Sequence, residues 1–437
     1  MTGTLGRHRA ACSGGGSGPV HRLVGKAAEI DDQSVVRAVE GLVIPRIGAV
    51  VCGSSEASGP WRLVDADGAD IEHARRWLTD LHACGNSPAT VRAYAYDLLN
   101  WLRFLDAIDV GWVRATRWEV RDWVRWHLAN PNPQRRRGSR QANHRPTPGS
   151  VNEKTGKPYL TDAYARSTIN RQLSAVSGFY EFALEADLGP LRNPVPKSRA
   201  ELARDYAHTN PMDDRRRLRR APYRQRVVQR VPRSLSDVLY EDVFTHLTNN
   251  RDRAIVATAV SGGLRASELL SMRRGLMHAA DQTVEIVPKG GGGERVLARL
   301  SPAAFVWIAR YLAERPPGPP DEPVWMALRG TPRPLTYWAL RRVLERTNEL
   351  IGTNVTMHDF RHTFCTRLAG DEHLTIGELQ DLMRHASLSS TMIYLRPKVE
   401  DLIDKLDAHW NRPAAPPPVP AKGYAAEDLR VLFDGAS

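Results

Sequence analysis

Residues 356–396 bring together the side-chain types that can break and remake a phosphate ester. The stretch holds four histidines, several arginines and one late tyrosine, Tyr394. A hydroxyl can act as the nucleophile, guanidinium groups can stabilise developing negative charge, and an acid or base can move the proton. A displacement at phosphorus that needs no metal is therefore within reach of this composition.

The first part of this stretch predicts an amphipathic helix. Apolar residues recur at helical spacing from Met357 to Leu368, so they predict a buried stripe. His358, Arg361 and His362 then fall on or beside the polar flank, and His358 and Arg361 are neighbours at a spacing of three. An arginine beside a histidine on a helix is more often a solvated face than a reactive pair, so this pattern alone assigns no function.

Two shorter helices are predicted after it. Residues 376–383 form one, and the cluster at 389–391 can cap another that carries Tyr394, with His385 between the two. A lone tyrosine in a short amphipathic helix is usually packing. Tyr394 therefore acquires chemical meaning only together with the other groups.

A second charged cluster lies earlier in the chain. A glycine pair permits a tight bend, so Arg265 can project from the start of a new helix, with Glu268 one turn on to hold it. The β-favouring runs 283–287 and 295–299 then predict a hairpin whose glycine-rich tip carries Lys289. On its residues alone, Lys289 is an ordinary exposed hairpin lysine.

Together these patterns resemble the signature of the tyrosine recombinase (phage integrase) family. The segment GLRASEL at 263–269 resembles the family's first arginine box, GLRxSEL. The pattern His358-x-x-Arg361, followed by the box that ends at Tyr394, resembles the second half of the signature, whose last box reads approximately LGHxSxxxTxxY. The main departure is Arg384, at a position where the family usually has glycine.

The resemblance implies a set of catalytic residues and a reaction. The expected catalytic residues are Arg265, Lys289, His358, Arg361, His385 and Tyr394. In the family the tyrosine attacks the scissile phosphorus, forming a phosphotyrosyl link to the 3′ end and freeing a 5′ hydroxyl. This exchange conserves bond energy, and the chain has no GxxxxGK[ST] motif, so no ATP and no other cofactor is expected.

Each of the other groups has an expected role. Arg265 and Arg361 are expected to grip the non-bridging oxygens, because a guanidinium fork matches phosphate geometry. Lys289 is the candidate general acid for the 5′ oxygen, since neighbouring cations can lower its pKa. His358 is expected to act as base towards the tyrosine, and His385 to donate a hydrogen bond to the phosphate. Glu268 is expected to support Arg265.

The net charge indicates the class of partner, and the cysteine spacing indicates whether a metal site is expected. The chain has 437 residues and a formal charge of +12, which favours a polyanion such as double-stranded DNA. No long apolar span or signal-peptide core is present, so a cytoplasmic, nucleoid-associated protein without membrane contact is expected. The four cysteines form no CxxC pair, so no metal site is expected, and Cys84 and Cys365 are interpreted as core thiols.

The periodicity predicts a mainly α fold in two domains. Four successive helices should form an N-terminal core-binding domain, SAM-like by the resemblance, followed by a mostly helical catalytic domain with a small β-sheet. The predicted boundaries are an N-terminal extension of unassigned role over 1–65, a core DNA-binding domain over 66–195 with a basic insertion over 130–162, a basic linker over 196–233, the catalytic domain over 234–411 and a Pro-rich tail over 412–437.

Two basic segments are candidates for phosphate contact. They contain Arg135, Arg136 and Arg137 in the insertion, and Arg215, Arg216, Arg217, Arg219 and Arg220 in the linker. An inert solvated loop is the alternative for each, but in a DNA-binding chain backbone contact is favoured.

The expected function is site-specific DNA recombination, for integration, excision or transposition, with service to a mobile element or to a chromosome left open. By family analogy four protomers assemble on two sites, with an accessory directionality factor left open. The terminal helix around Leu406 could pack in cis or dock on a neighbouring subunit. A type IB topoisomerase would share the same chemistry, and a non-catalytic DNA-binding protein would share the basic surface; the first would relax DNA without joining sites, and the second would form no covalent adduct.

Overall fold

The computed structural model describes residues 37–53, 60–132, 147–198, 220–227, 233–288, 293–371, 373–385, 387–394 and 399–412. Lys289 and all the candidate DNA-contact arginines except Arg220 lie outside these ranges. The chain divides into two compact units, with residues 152–157 grouped with the second. Each unit is described by itself.

Four helices and a two-stranded sheet build the first unit. The strands are β1 (Ala49–Cys52) and β2 (Trp61–Val64), and the helices are α1 (Glu72–Ala83), α2 (Pro88–Ala107), α3 (Arg117–Ala129) and α4 (Arg166–Glu185). The strands pair antiparallel, with Ala49 opposite Val64. The four predicted helices are therefore present, and the sheet adds structure to a segment in which no periodic pattern was evident.

Capping explains where these helices begin. The Ser87 hydroxyl accepts a hydrogen bond from the Thr90 amide, and Pro88 occupies the first helical position of α2. Thr116 and Glu119 form a reciprocal capping box at the start of α3. The core between the helices is rich in large aromatic residues, among which Trp77, Trp101, Trp123, Phe179 and Tyr180 are buried.

The second unit surrounds a three-stranded sheet with helices. Its strands are β3 (Met277–His278), β4 (Thr283–Ile286) and β5 (Val296–Arg299), in the order β3-β4-β5 and antiparallel throughout. Its helices are α5 (Asp237–Thr245), α6 (Asn250–Gly262), α7 (Ala266–Leu270), α8 (Pro302–Ala313), α9 (Tyr337–Ile351), α10 (Met357–Ala369), α11 (Ile376–Met383), α12 (Leu388–Met392) and α13 (Val399–Trp410). The predicted mainly helical fold with a small sheet is confirmed.

Helix α6 is the centre of this second unit. It packs against α8 on one side and α10 on another, and Ala254, Ile255, Val256 and Ala259 are buried along it. An apolar helix with little polar face is expected in the middle of a core. Because α10 carries the predicted reactive pair, its packing on α6 anchors that pair to the core of the unit.

Residues 152–157 form a hexapeptide that binds the loop before α10. The Asn152 side-chain amide donates to the Gly352 carbonyl at 2.9 Å. Lys157 Nζ lies 2.6 Å from Asp359 Oδ2 and 3.0 Å from the Asn354 carbonyl oxygen. The sequence predicted this region as part of a solvated basic insertion, and the hexapeptide is instead tied down by side-chain hydrogen bonds.

Two sequence-based interpretations need correction. Cys84 is exposed at the end of α1 rather than in a core, because it is the C-cap residue at which the helix stops; Cys365 is buried as predicted. The short helix before Tyr394 is capped by the Ser387 hydroxyl, so the 389–391 cluster lies inside α12 and Tyr394 lies just beyond its end. Within the described ranges, no helix is both long and apolar enough to cross a bilayer.

Candidate active site

Helix α10 presents the first group of predicted site residues. Thr356 caps it in a reciprocal box with Asp359, whose carboxylate also accepts from Lys157. His358 is exposed at the first turn, but the side chain of Arg361 is only 3 % exposed. Arg361 therefore points into the unit rather than along the polar flank that the helical pattern suggested.

The bend before α7 presents Arg265. Gly263 adopts a left-handed φ of +57°, and a Cβ there would overlap the Phe364 ring, so the position demands glycine for both reasons. Arg265 follows as the N-cap residue of α7, and its Nη1 donates to Glu268 Oε1 at 2.6 Å. The predicted support of Arg265 by Glu268 is present.

Three guanidinium groups surround the buried carboxylate of Glu268. Besides Arg265, Arg361 Nη1 lies 3.8 Å and Arg384 Nε 3.5 Å from Glu268 Oε2. Burial opposes ionisation of Glu268, but hydrogen bonds from the Arg265 amide and side chain, together with the charge of Arg384, outweigh it and lower its pKa. The carboxylate is therefore an ionised anchor for the arginine cluster.

The guanidinium of Arg361 bridges two chain segments. Its Nη1 donates to the Gly263 carbonyl at 2.5 Å, and its Nη2 donates to the Met383 carbonyl. Burial and the neighbouring charge of Arg265 lower its pKa to about 10, so it stays protonated at neutral pH. Arg361 thus joins the bend before α7 to the end of α11.

The hydroxyl of Tyr394 contacts His362, a residue the sequence placed beside the site without a role. The distance from Tyr394 Oη to His362 Nδ1 is 2.5 Å. His358 lies one turn earlier on α10, with its ring centroid 4.0 Å from that of His362 in an edge-on arrangement. The expected assignment of His358 as the base towards Tyr394 is therefore not what this arrangement supports, because the residue that meets the phenol is four positions later.

Burial sets the protonation of this pair. It lowers the pKa of His362 to about 4, assisted by the charge of His358, and it raises the pKa of the Tyr394 phenol. At neutral pH the imidazole is uncharged and the phenol keeps its proton. Tyr394 Oη–H therefore donates to His362 Nδ1, which requires the imidazole tautomer with its proton on Nε2.

His385 also lies beside Tyr394. Its Nδ1 lies 3.0 Å from the Thr391 hydroxyl, and its ring lies parallel to that of Tyr394 at a centroid distance of 6.3 Å. Burial and the charge of Arg361 lower its pKa to about 4. The structure thus brings Arg265, Arg361, His358, His385 and Tyr394 into one unit, while Lys289 lies outside the described residues.

Comparison with known proteins follows the same division of the chain. A model of the phage integrase family matches residues 237–401, and a model of the N-terminal SAM-like domain of phage integrases matches residues 74–140. This chain belongs to the phage integrase family of tyrosine recombinases. The family resemblance expected from the sequence is confirmed, and with it the two-part fold.

Relatives match part of this chain in sequence, and a solved structure matches it in fold. The chain is 25% identical over 250 residues to tyrosine recombinase XerA of Pyrococcus horikoshii, covering 56% of this chain and 74% of that one. It is 29% identical over 255 residues to XerC of Leptospira interrogans, covering 56% and 73%. The structure of the Tn1549 transposon integrase in complex with transposon right end DNA matches with a TM-score of 0.50 at 14% identity, covering 77% of this chain and 99% of that one, which shows the fold.

The contact at Tyr394 predicts that His362 matters more for cleavage by this recombinase than its unassigned position suggests. We expect His362→Gln to slow single-turnover cleavage about 10²-fold, because the phenol loses the group that takes its proton. DNA affinity should be unchanged. His373→Gln, in an exposed turn of the same stretch, is the matched control.

The pH profile gives an independent readout of the same prediction. Since the pKa of His362 is about 4, the parental cleavage rate should stay level from pH 8 down to about pH 5 and fall only as His362 becomes protonated. A parental rate that already declines above pH 5, together with a normal rate for His362→Gln, would return the base role to His358.

Proposed function

We propose that this tyrosine recombinase cuts and rejoins DNA at specific sites through a 3′-phosphotyrosyl intermediate formed on Tyr394. The observation that carries the proposal is the contact of the Tyr394 hydroxyl with an uncharged His362, next to a buried cluster of guanidinium groups. A nucleophile, a proton acceptor and fixed positive charge are the components that displacement at phosphorus needs. DNA is the partner that the basic chain and its family favour.

The proposed cleavage step moves one proton and exchanges one bond. The Tyr394 phenol transfers its proton to His362 Nδ1 as Oη attacks the scissile phosphorus. The new Oη–P bond replaces the bond from phosphorus to the 5′ oxygen, and the leaving oxygen takes a proton from Lys289 as general acid. Rejoining reverses these events with a 5′ hydroxyl from the partner strand, so the reaction consumes no ATP and the residues named require no metal.

The two family arginines stabilise the negative charge of the phosphate in this proposal. The Arg265 side chain is 26% exposed, so its guanidinium is the more accessible of the two family arginines to a non-bridging oxygen. Arg361 is more deeply buried and adds fixed positive charge at short range, where low polarity strengthens its effect. His385, held by Thr391, is oriented to donate a hydrogen bond to the same phosphate from its other ring nitrogen.

A covalent capture experiment tests this proposal. Protein purified from its host under denaturing conditions should carry DNA on a peptide containing Tyr394, and sequencing that DNA identifies the target sites. On a suicide substrate, the short fragment that carries the free 5′ hydroxyl diffuses away after cleavage. The covalent adduct should therefore accumulate. If the protein binds this DNA but forms no adduct, the result would support the alternative of a non-catalytic DNA-binding protein.

A relaxation assay separates recombination from topoisomerase activity. The family matches favour recombination, so the enzyme should join two marked copies of the captured site. A type IB topoisomerase would remove supercoils from a plasmid that lacks the site and leave marked sites unjoined. We extend the proposal in three ways: the recombinase serves a mobile element, a directionality factor controls it, and it associates with the nucleoid. The sequences that flank the captured sites test the first of these.

The basic linker is proposed to bind the DNA backbone. Of its candidate arginines, Arg220 lies within the described residues and is exposed. Changing Arg215, Arg216, Arg217, Arg219 and Arg220 together to glutamine should weaken binding to all sequences alike. The slope of log K against log salt should flatten by about 0.9 for each phosphate that the variant no longer neutralises. An unchanged slope in a salt titration would make the linker a spacer.

Helix α13 supports assembly of several protomers. Ile403, Leu406 and Trp410 follow one another at helical spacing, and all three side chains are exposed. An apolar stripe that the described part of the chain leaves exposed favours docking on a neighbouring subunit over packing in cis. We propose that it links protomers in a tetramer on two sites.

A double substitution tests this role of α13. Leu406→Glu with Trp410→Ala should leave binding to one site intact, while complexes that hold two sites and the joined product should fall at least about tenfold, because both side chains would be buried between protomers. Native gel electrophoresis and a joining assay give the two readouts, with Asp407→Ala on the same helix as the control. Normal two-site complexes in the double variant would place the stripe outside the interface.

A further inference from the structure

The turn between α11 and His385 places Arg384 in a backbone conformation that favours glycine. Arg384 adopts φ 51° and ψ 46°, the left-handed conformation that glycine reaches readily and other residues reach at a cost. The family box resembled by this segment has glycine at this position. The Arg384 side chain must therefore make interactions that offset the unfavourable backbone.

The guanidinium of Arg384 ties together the ends of two helices. Its Nη1 donates to the Leu382 carbonyl at 2.9 Å, at the end of α11. Its Nη2 donates to the carbonyl oxygens of Gly262 at 3.0 Å and Gly263 at 3.3 Å, at the end of α6. Carbonyl groups at helix C-termini carry partial negative charge, so a cation between two of them is favourable.

The same hydrogen bonds connect Arg384 to both family arginines. Arg361 donates to the Gly263 carbonyl, which Arg384 shares, and to the Met383 carbonyl next to it. Arg265 Nη2 donates to the main-chain carbonyl of Arg384 at 3.2 Å. Removing the Arg384 side chain would thus loosen the partners that orient Arg361 and shift the carbonyl that orients Arg265.

Arg384 also changes the charge of the cluster. Three guanidinium groups face the single carboxylate of Glu268, which leaves a local charge of +2, whereas glycine at this position would leave +1. The Arg384 side chain is 9% exposed, so water screens this extra charge weakly. The like charges are unfavourable until a phosphate arrives.

We propose that Arg384 is a positioning residue for phosphoryl transfer: it orients Arg265 and Arg361 and supplies a buried positive charge that an anionic transition state uses. This inference rests on the proposed function, because the anion is the scissile phosphate. Its Nη1 and Nη2 donate to main-chain carbonyls and its Nε faces Glu268 at 3.5 Å, so Arg384 acts through its neighbours and through its electrostatic field.

The test uses charge at the scissile phosphate as the readout. Parental enzyme, Arg384→Gly and Arg384→Lys are compared in single-turnover cleavage of a suicide substrate with a normal phosphodiester and of one with a methylphosphonate, which has no net negative charge. Arg384→Gly suits the left-handed turn, so it should fold, and its melting temperature is measured alongside. Arg341→Gln removes an exposed arginine elsewhere in the same unit and is the matched control.

The expected result is selective. Arg384→Gly should slow cleavage of the phosphodiester roughly 10-fold to 100-fold, with DNA affinity within about twofold, and slow cleavage of the methylphosphonate less than about threefold. Arg384→Lys, which keeps the charge without the planar fork, should recover part of the loss. Equal slowing on both substrates would reduce Arg384 to a purely structural residue, and an unchanged rate on the phosphodiester would also overturn the proposal.

Failure of the inference and failure of the function are distinguishable. If the parental enzyme forms no adduct on either substrate, the proposed function fails. If the parental adduct forms and the Arg384 variants match it on both substrates, only the role of Arg384 fails. If Arg384→Gly does not fold, Arg384→Lys still tests the proposal. A lysine variant that cleaves both substrates at the parental rate would show that neither the planar guanidinium nor its orientation of Arg265 and Arg361 matters for cleavage.

Discussion

We expect Tyr394→Phe to leave DNA binding intact and to remove the covalent adduct. Only the phenolic oxygen is lost, so cleavage should fall on the order of 10⁴-fold or more, as for loss of other nucleophiles that form covalent intermediates. The ring keeps its place among Cys365, Leu379 and Met383. Loss of the hydrogen bond to His362 should lower the free energy of unfolding by only about 1 kcal/mol.

The measurement is an adduct assay on a suicide substrate beside a binding titration. Tyr337→Phe, which removes the hydroxyl of an exposed tyrosine at the start of α9, is the matched control and should cleave normally. A phenylalanine variant that still forms the adduct would exclude Tyr394 as the nucleophile. A variant that loses both adduct and binding would indicate a folding defect, which the melting temperature would reveal.

Arg361→Ala should raise the barrier to cleavage by on the order of 3 kcal/mol while DNA affinity stays nearly intact. The guanidinium is proposed to act mainly on charge that develops during transfer, so its loss appears in the rate and not in binding. Its burial adds a second effect. The alanine removes the Arg361 donor from the Met383 carbonyl, leaves the Gly263 carbonyl with only the weaker bond from Arg384, and removes a cationic neighbour of Glu268. The unit should therefore also be destabilised by a few kcal/mol.

Arg361→Lys separates the two effects. The lysine keeps a buried positive charge but cannot bridge both carbonyls, so it should be more stable than the alanine variant and still cleave slowly. Arg367→Ala, an exposed residue on the same helix that pairs with Asp237, should leave cleavage unchanged. An alanine variant that folds and cleaves at the parental rate would mean that the pair His358 and Arg361 is only a helix face.

Local signals in the sequence were sufficient for most of the fold. The capping residues Ser87, Thr116, Ser301 and Thr336 each accept the hydrogen bond that starts a helix, because these interactions involve residues within one turn. The hairpin flanking Lys289 also forms, with Thr283 opposite Arg299. By contrast, β3 has only two residues, and the runs AVVC of β1 and WRLV of β2 lack the apolar and polar alternation that would mark a strand in the sequence.

The site was predictable in its residue types and only partly in its spatial pairings. Helical spacing made His358 and His362 equally close to a polar flank, and the choice between them depends on where the chain returns after α12. The family pattern favoured His358, whereas the structure places the phenol on His362. Burial of Arg361 was missed for the same reason, since its partners Gly263 and Met383 come from two other segments.

The hexapeptide 152–157 makes the catalytic unit discontinuous along the gene. A fragment that begins after the linker would lack Lys157, and Asp359, which closes the capping box of the helix carrying Arg361, would lose its ion pair. Such a fragment should melt at a lower temperature than the same unit supplied with the hexapeptide in trans. Chimeras that exchange the first unit between relatives must therefore transplant these six codons with the second unit, although they lie inside the sequence of the first.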